Sequence, residues 1–328
     1  MSKSHLQTIL VGLLLPILLI GCQTTQSPLG AGFRFSSYGP PFDPGKEYWA
    51  AVGQGMAARF SDEVESEVVP QGIWILGIIS GQGTFVNYPT GIDDKTVMDI
   101  AVDMNEDTLT YFDEQGVQVW LQVEPGMAPV EDLIHSMLTQ YSHHPSVIGV
   151  GIDVEWYQSY SEPVGKPITD EEAAAWVAAA RSHGEQYRVF LKHWELDWMP
   201  PTYRDGLVFI DDSQGFESLD AMLAEFKIWG EAFDPAPVGF QYGYFSDKKS
   251  AISSLEKFKA DQRGDGYLVR FSAANIVDVA DAAKINQPVH IPDHSEQPGK
   301  EITPAVPSEN FLFLVLPTST LFRTPNPP

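Results

Sequence analysis

The segment Asp153-Val-Glu155-Trp156-Tyr157 closes an apolar, glycine-spaced run, Val147-Ile-Gly-Val-Gly-Ile, so two carboxylates stand two residues apart at the tip of a buried strand. Side chains alternate along a strand, so Asp153 and Glu155 are expected to project from one face, with Gly149 and Gly151 leaving space beneath them. Two carboxylates this close push each other's pKa apart, which leaves a protonated acid beside an ionised partner near neutral pH. A paired acid of this kind is what cleavage of a glycosidic bond requires.

Such a pair needs a scaffold that gathers strand tips on one side. Short apolar runs alternate with helix-like segments from Gly32 onward, with strands expected at 32–37, 73–79, 117–124, 147–155, 187–194, 207–212 and 238–244. Helices are expected at 46–60, 96–115, 130–141, 170–185 and 219–233. Thr169 with Glu172 three residues later has the form of a capping box at the start of the fourth helix. Seven or eight βα units in one domain predict an α/β fold of the (βα)8 TIM-barrel type. A doubly wound sheet competes, but Ser36-Ser37-Tyr38-Gly-Pro-Pro after the first strand is not a phosphate-binding glycine turn. The last quarter is irregular, with helices suggested at 251–260 and 274–285 and a short strand at 266–271. The run Phe311-Leu-Phe-Leu-Val-Leu316 is a candidate eighth strand.

In a barrel, the residues at the strand tips share one face. Glu124 ends the third strand, and Lys192-His193-Trp194-Glu195 the fifth. Asp211 and Asp212 end the sixth, and Gln241-Tyr242-Gly-Tyr244 the seventh. Together with Trp156 and Tyr157 these form a candidate substrate cleft in which aromatic faces stack on sugar rings. Glu124, Glu195, Asp211 or Asp212 would supply a carboxyl to face Glu155. Lys192 and His193 lie on opposite faces of their strand, so only one of them points inward.

The run Gly-x-Asp-x-Glu-Trp-Tyr resembles the terminal part of the Asp-x-x-Asp-x-Asp-x-Glu motif of family 18 glycoside hydrolases, the chitinases and endo-β-N-acetylglucosaminidases. The resemblance implies that Glu155 is the general acid and that Asp153 orients a substrate acetamido group. Ile148 and Gly151 stand where the family carries its two earlier aspartates, so the motif is incomplete. The family 25 lysozymes carry a similar Asp-x-Glu on a related barrel.

Two other readings use the same residues. A barrel that has lost part of its acid machinery would serve as a non-catalytic carbohydrate-binding or structural protein. Glu124, Asp153 or Glu155, and Glu195 also resemble the three magnesium ligands of the enolase superfamily, although the capping domain is missing. The leading reading calls for no cofactor and no metal. His143-His144 is read as a solvated helix terminus rather than a zinc pair, and His290 and His294 lie in the irregular region.

The N-terminus suggests an address. Lys3 and His5 precede an apolar run that ends Leu19-Ile20-Gly21-Cys22, which resembles a bacterial lipoprotein signal whose cysteine is lipidated. The expected organisation is therefore a signal at 1–21, a tether at 22–31, a barrel domain at 32–316 and a Pro/Thr/Ser-rich tail at 317–328. This places the protein in the cell envelope, extracytoplasmic and held to the membrane through Cys22. Cys22 is the only cysteine, so the folded domain has no internal disulfide and no thiol nucleophile. The formal charge of −24 argues against nucleic acid as a partner and leaves a polysaccharide or glycan as the expected substrate.

Overall fold

The structure, a computed structural model, describes residues 29–35, 44–61, 67–242 and 311–316. In chain order the elements are β1 (Leu29–Phe35), α1 (Lys46–Ser61), β2 (Val68–Ser80), β3 (Gly83–Val86), β4 (Val97–Met98), α2 (Glu106–Gln115), β5 (Gln118–Val123) and α3 (Val130–Tyr141). There follow β6 (Val147–Asp153), α4 (Asp170–Arg181), β7 (Arg188–His193), β8 (Leu207–Asp211), α5 (Leu219–Phe233), β9 (Val238–Tyr242) and β10 (Phe311–Leu316). Among the described residues no helix is long and apolar enough to cross a membrane.

The strands form one mostly parallel sheet in the order β1-β10-β9-β8-β7-β6-β5-β2-β3-β4, and β1 also pairs with β2. From β2 through β5, β6, β7, β8 and β9 every neighbour is parallel, while β10 runs antiparallel to both β9 and β1. This is an α/β fold compatible with a barrel. The seven expected parallel strands all form, and 311–316 is indeed a strand, although its direction is reversed.

Alternation along the strands sorts the core into two layers. On the helix-covered face Trp49, Phe112, Leu133, Ile134, Trp176 and Trp229 belong to one large cluster. On the opposite face Ile73, Ile75, Trp120, Phe190, Val208 and Ile210 form a smaller one. Each large apolar side chain buried in this way contributes about 1.5–3 kcal/mol. The space expected beneath the Asp153/Glu155 pair is filled rather than open. A Cβ on Gly151 would lie 1.9 Å from Phe190 Cζ, and one on Gly149 would lie 2.6 Å from Trp120 Cζ3. The glycines admit two aromatic rings, which meet edge to face at 5.7 Å.

Several boundaries differ from expectation. The first strand begins at Leu29, so residues 29–31 lie in the sheet. Instead of a helix over 96–115, β4 adds to the β2–β3 hairpin and α2 starts only at Glu106. Local side-chain bonds explain this: Asp94 accepts from the Thr96 N–H and hydroxyl, and Asp103 accepts from the Asn105 N–H. Short polar side chains that bond their own backbone compete with a helix. Ser80-Gly-Gln-Gly is a two-residue hairpin with Gly81 at φ 57°, not a plain strand tip. The capping box forms as expected, with Glu172 N donating to Thr169 Oγ1 at 3.1 Å and Thr169 N donating to Glu172 Oε2 at 2.9 Å. The segments 1–28, 36–43 and 243–310 and the tail 317–328 lie outside the described residues, with Cys22, Ser36, Ser37, Tyr38, Tyr244, His290 and His294 among them.

Candidate active site

Polar side chains collect at the C-terminal ends of the strands, above the Trp120/Phe190 layer. Lys192 is their centre. It is the fifth residue of β7, faces away from the helices and is only 1% exposed. A buried ammonium must be paired, and Lys192 Nζ lies 2.9 Å from Asp153 Oδ2, 2.9 Å from Glu155 Oε1 and against Asp212 Oδ2. Gln122 Nε2 donates to Asp153 Oδ2 at 2.9 Å, and Gln241 Nε2 donates to Asp212 Oδ1 at 2.8 Å. Glu124, also buried, accepts from the Ile79 N–H at 2.8 Å and adds its charge to the field at Asp153. Arg34 on β1 is buried and acts on Glu155 and Asp212 through its charge.

The strand carrying the acid pair does not run as far as expected. β6 ends at Asp153, and residues Val154–Trp156 turn as a single 3-10 turn closed by Tyr157 N donating to Val154 O at 3.0 Å. Asp153 and Glu155 still converge, because the turn brings Glu155 back over Lys192. Asp153 is fully buried, whereas the Glu155 side chain keeps 16% of its surface exposed.

Four carboxylates surround two cations here, so burial decides where protons stay. Burial first, and then the Glu155 charge, push the Asp153 pKa well above the usual carboxylate range. Burial also raises Asp212, with Lys192 opposing it. For Glu155, burial alone would raise the pKa, but the Lys192 charge and hydrogen bond, then Arg34 and Asp153, outweigh it, and the net direction is down. The expectation of a raised Glu155 is thus reversed in the resting protein. Asp153 and Glu155 each lie 2.9 Å from the Lys192 ammonium, so the two carboxyls act on each other at close range. The opposite directions make Asp153 the member of the pair that takes up a proton more readily.

The remaining predicted residues divide. Gln241 and Asp212 join the cluster, and Trp156 is half-buried beside it in sequence. Asp211 does not join; on the alternate face, it accepts from Ser213 N at 2.9 Å near Glu225, and burial raises its pKa. Tyr157 is buried, packs edge to face on Trp176 at 5.1 Å and donates to Glu172, so its ring is part of the α4 interface and not a sugar platform. His193 points away from Lys192, as alternation predicts. Its Nε2 donates to the Val164 carbonyl at 2.9 Å and its Nδ1 accepts from Glu195 N at 2.8 Å, a pairing that sets the tautomer. Burial lowers its pKa to about 4, so it is neutral and pins the loops rather than transferring protons. Trp194 and Trp198 stack on its ring at 4.2 and 5.2 Å, and Glu195 is exposed. The side chain of Tyr242 is outside the described residues. A cleft of about 450 Å³ between residues 89–94 and α3 shares no residue with the cluster.

The magnesium arrangement is not assembled. Glu195 stands apart, and the position between the remaining carboxylates is taken by the Lys192 ammonium. From sequence, Lys192 and Gln122 stand only as strand-tip residues without a role, and Arg34 is not singled out. The available signal was period two: Arg34 follows Gly30 and Gly32 on one face of β1, and a lysine in the apolar strand Arg-Val-Phe-Leu-Lys-His demands buried carboxylates.

No protein-family model matches the chain, and no curated protein does. Among solved structures it is similar to a putative alpha-L-fucosidase from Bacteroides thetaiotaomicron, at TM-score 0.37 and 11% identity over 77% of this chain and 76% of that one. It is also similar to Bacteroides EndoBT-3987 bound to a Man5GlcNAc product, at TM-score 0.31 and 14% identity over 56% of this chain and 52% of that one, about half its length. Likeness at this level carries no argument about chemistry, which rests on the residues themselves.

Proposed function

We propose that the protein is a glycoside hydrolase of the cell envelope, built on a (βα)8-type barrel in which β10 is the closing strand, and that it cleaves a polysaccharide or glycan. The observation that carries this reading is the convergence of Asp153 and Glu155 on Lys192 in a buried layer of carboxylates at the strand ends. Glu155 is the partly exposed member of the pair and therefore the one that meets substrate. Moving the proton from Asp153 to Glu155 only exchanges which carboxylate is ionised, and Lys192 is 2.9 Å from both. The net charge around the ammonium is unchanged, so the exchange replaces one Lys192 ion pair by another. Glu155, once protonated, gives its proton to the glycosidic oxygen as the C–O bond breaks. Water then supplies hydroxide to the anomeric carbon, and its proton returns to the pair. Asp153 acts as proton reservoir and orienting group.

One observation favours a second reading, a carbohydrate-binding protein without catalysis. In the resting state the partly exposed Glu155 is ion-paired to Lys192, which opposes its acting as an acid. Hydrolysis assays over a glycan panel separate the two. With an active wild type, Glu155→Gln is expected to lower kcat/KM by about 10²–10⁴-fold, the usual share of general acid catalysis, with the circular dichroism spectrum unchanged. A Glu155→Gln enzyme within twofold of wild type would remove the acid assignment; a wild type that binds glycans and cleaves none would establish the second reading.

We further propose that Cys22 is lipidated and anchors the domain outside the cytoplasm, a reading supported by the Leu19-Ile20-Gly21-Cys22 run.

A further inference from the structure

We propose that Glu106, His143 and His144 form a binding site for a zinc-type divalent metal ion, at the end of the sheet opposite the Lys192 cluster. His143 and His144 follow α3 in the turn that leads into β6, and Glu106 is in the first turn of α2. Adjacent histidines at a helix end were expected to diverge into solvent; instead both reach the same carboxylate. His143 Nε2 is 3.2 Å from Glu106 Oε1 and His144 Nε2 is 3.3 Å from Glu106 Oε2. One ligand atom from each of the three residues falls within 4.8 Å of the others. A tetrahedral ion with bonds of about 2.1 Å holds its ligand atoms about 3.4 Å apart, so small side-chain movements complete the geometry.

The support behind His144 is an independent observation. Its ring is 3% exposed, and Nδ1 is 2.6 Å from Asp113 Oδ2, whose other oxygen accepts from Ser146 N at 2.8 Å. A carboxylate only accepts here, so Nδ1 carries the hydrogen. His144 Nε2 is turned toward a Glu106 oxygen. Two acceptors at 3.3 Å need a cation between them, either a proton or a metal ion. A carboxylate holding the far nitrogen of an imidazole is also the arrangement that orients metal-ligating histidines. Two imidazoles and one carboxylate suit zinc and leave a fourth position for water, whereas magnesium and calcium prefer all-oxygen sites. The seven residues of β6 separate this turn from Asp153 by about 20 Å, so the ion would clip α2 to the α3–β6 turn and take no part in the chemistry at Glu155.

The test is calorimetric titration of zinc chloride into the full chain carrying Cys22→Ser and no polyhistidine tag, with thermal melts in parallel. One zinc per chain and a raised Tm are expected, with magnesium chloride giving neither. His143 is about half exposed, so His143→Ala should leave the metal-free Tm unchanged while weakening zinc at least about tenfold, and Glu106→Gln should weaken zinc to a similar degree. Asp113→Asn should weaken it about 10–100-fold. Absence of saturable zinc binding, or a His143→Ala protein that binds zinc as wild type does, overturns the proposal.

Discussion

Lys192 pulls down the pKa of all three carboxylates it touches; the net direction is down at Glu155, while burial outweighs the ammonium at Asp153 and Asp212. His193, one residue on, is governed mainly by burial, and its consequence is measurable. Its folded pKa of about 4 lies below the unfolded value near 6.5, so between these limits the unfolded chain binds more protons. Stability from this residue is complete above pH 6.5 and lost as pH falls toward 4, with an upper bound of about 3 kcal/mol. Urea denaturation from about pH 7 to about pH 4 should show that slope in the wild type and a flatter one in His193→Gln; equal slopes would remove the assignment. At this scale the sequence revealed which residues are acidic and near strand ends. It did not reveal in which direction each acid is shifted, because that depends on Lys192 and Arg34, which arrive from other strands.

At the scale of elements, β6 shows why two glycines precede the acids. Gly149 and Gly151 make room for Trp120 and Phe190, so the floor of the site is a packed aromatic layer. Gly151→Ala, with its Cβ 1.9 Å from Phe190 Cζ, should cost at least about 1–3 kcal/mol by overpacking. Adding Phe190→Leu should recover part of that loss in a double-mutant cycle; strict additivity would show that the two residues do not compete for space. Strands β5 to β9 were legible because their apolar runs are long enough to be buried on both faces. The segment 96–105 was not. Its apolar spacing resembles a helix, yet Asp94, Asp103 and the buried Asn105, bonded to Trp74, Asn87 and Tyr141, hold a loop there.

For the whole molecule, the βα alternation forecasts an α/β sheet, and the pairings bring the order of strands back to β1. The antiparallel entry of β10 was not foreseeable, since an apolar run specifies burial but not direction. The proposed anchor also belongs to this scale. Expressed in a bacterial host, the wild-type chain should sediment with membranes and Cys22→Ser should become soluble; equal partition of the two would remove the lipid assignment.

By itself the sequence determined the alternation of elements, the position of Asp153 at the end of β6 with Glu155 two residues on, the inward course of one of Lys192 and His193, and the acidic charge. These follow from periods of about 2 and 3.6 residues and from composition, which are local properties. Only the tertiary structure decided that Lys192 is the hub of Asp153, Glu155 and Asp212, that the Glu155 pKa is shifted down, and that Tyr157 is buried while Asp211 faces the other way. Charge states and pairings depend on distances between residues from different strands, and those distances exist only once the sheet has assembled.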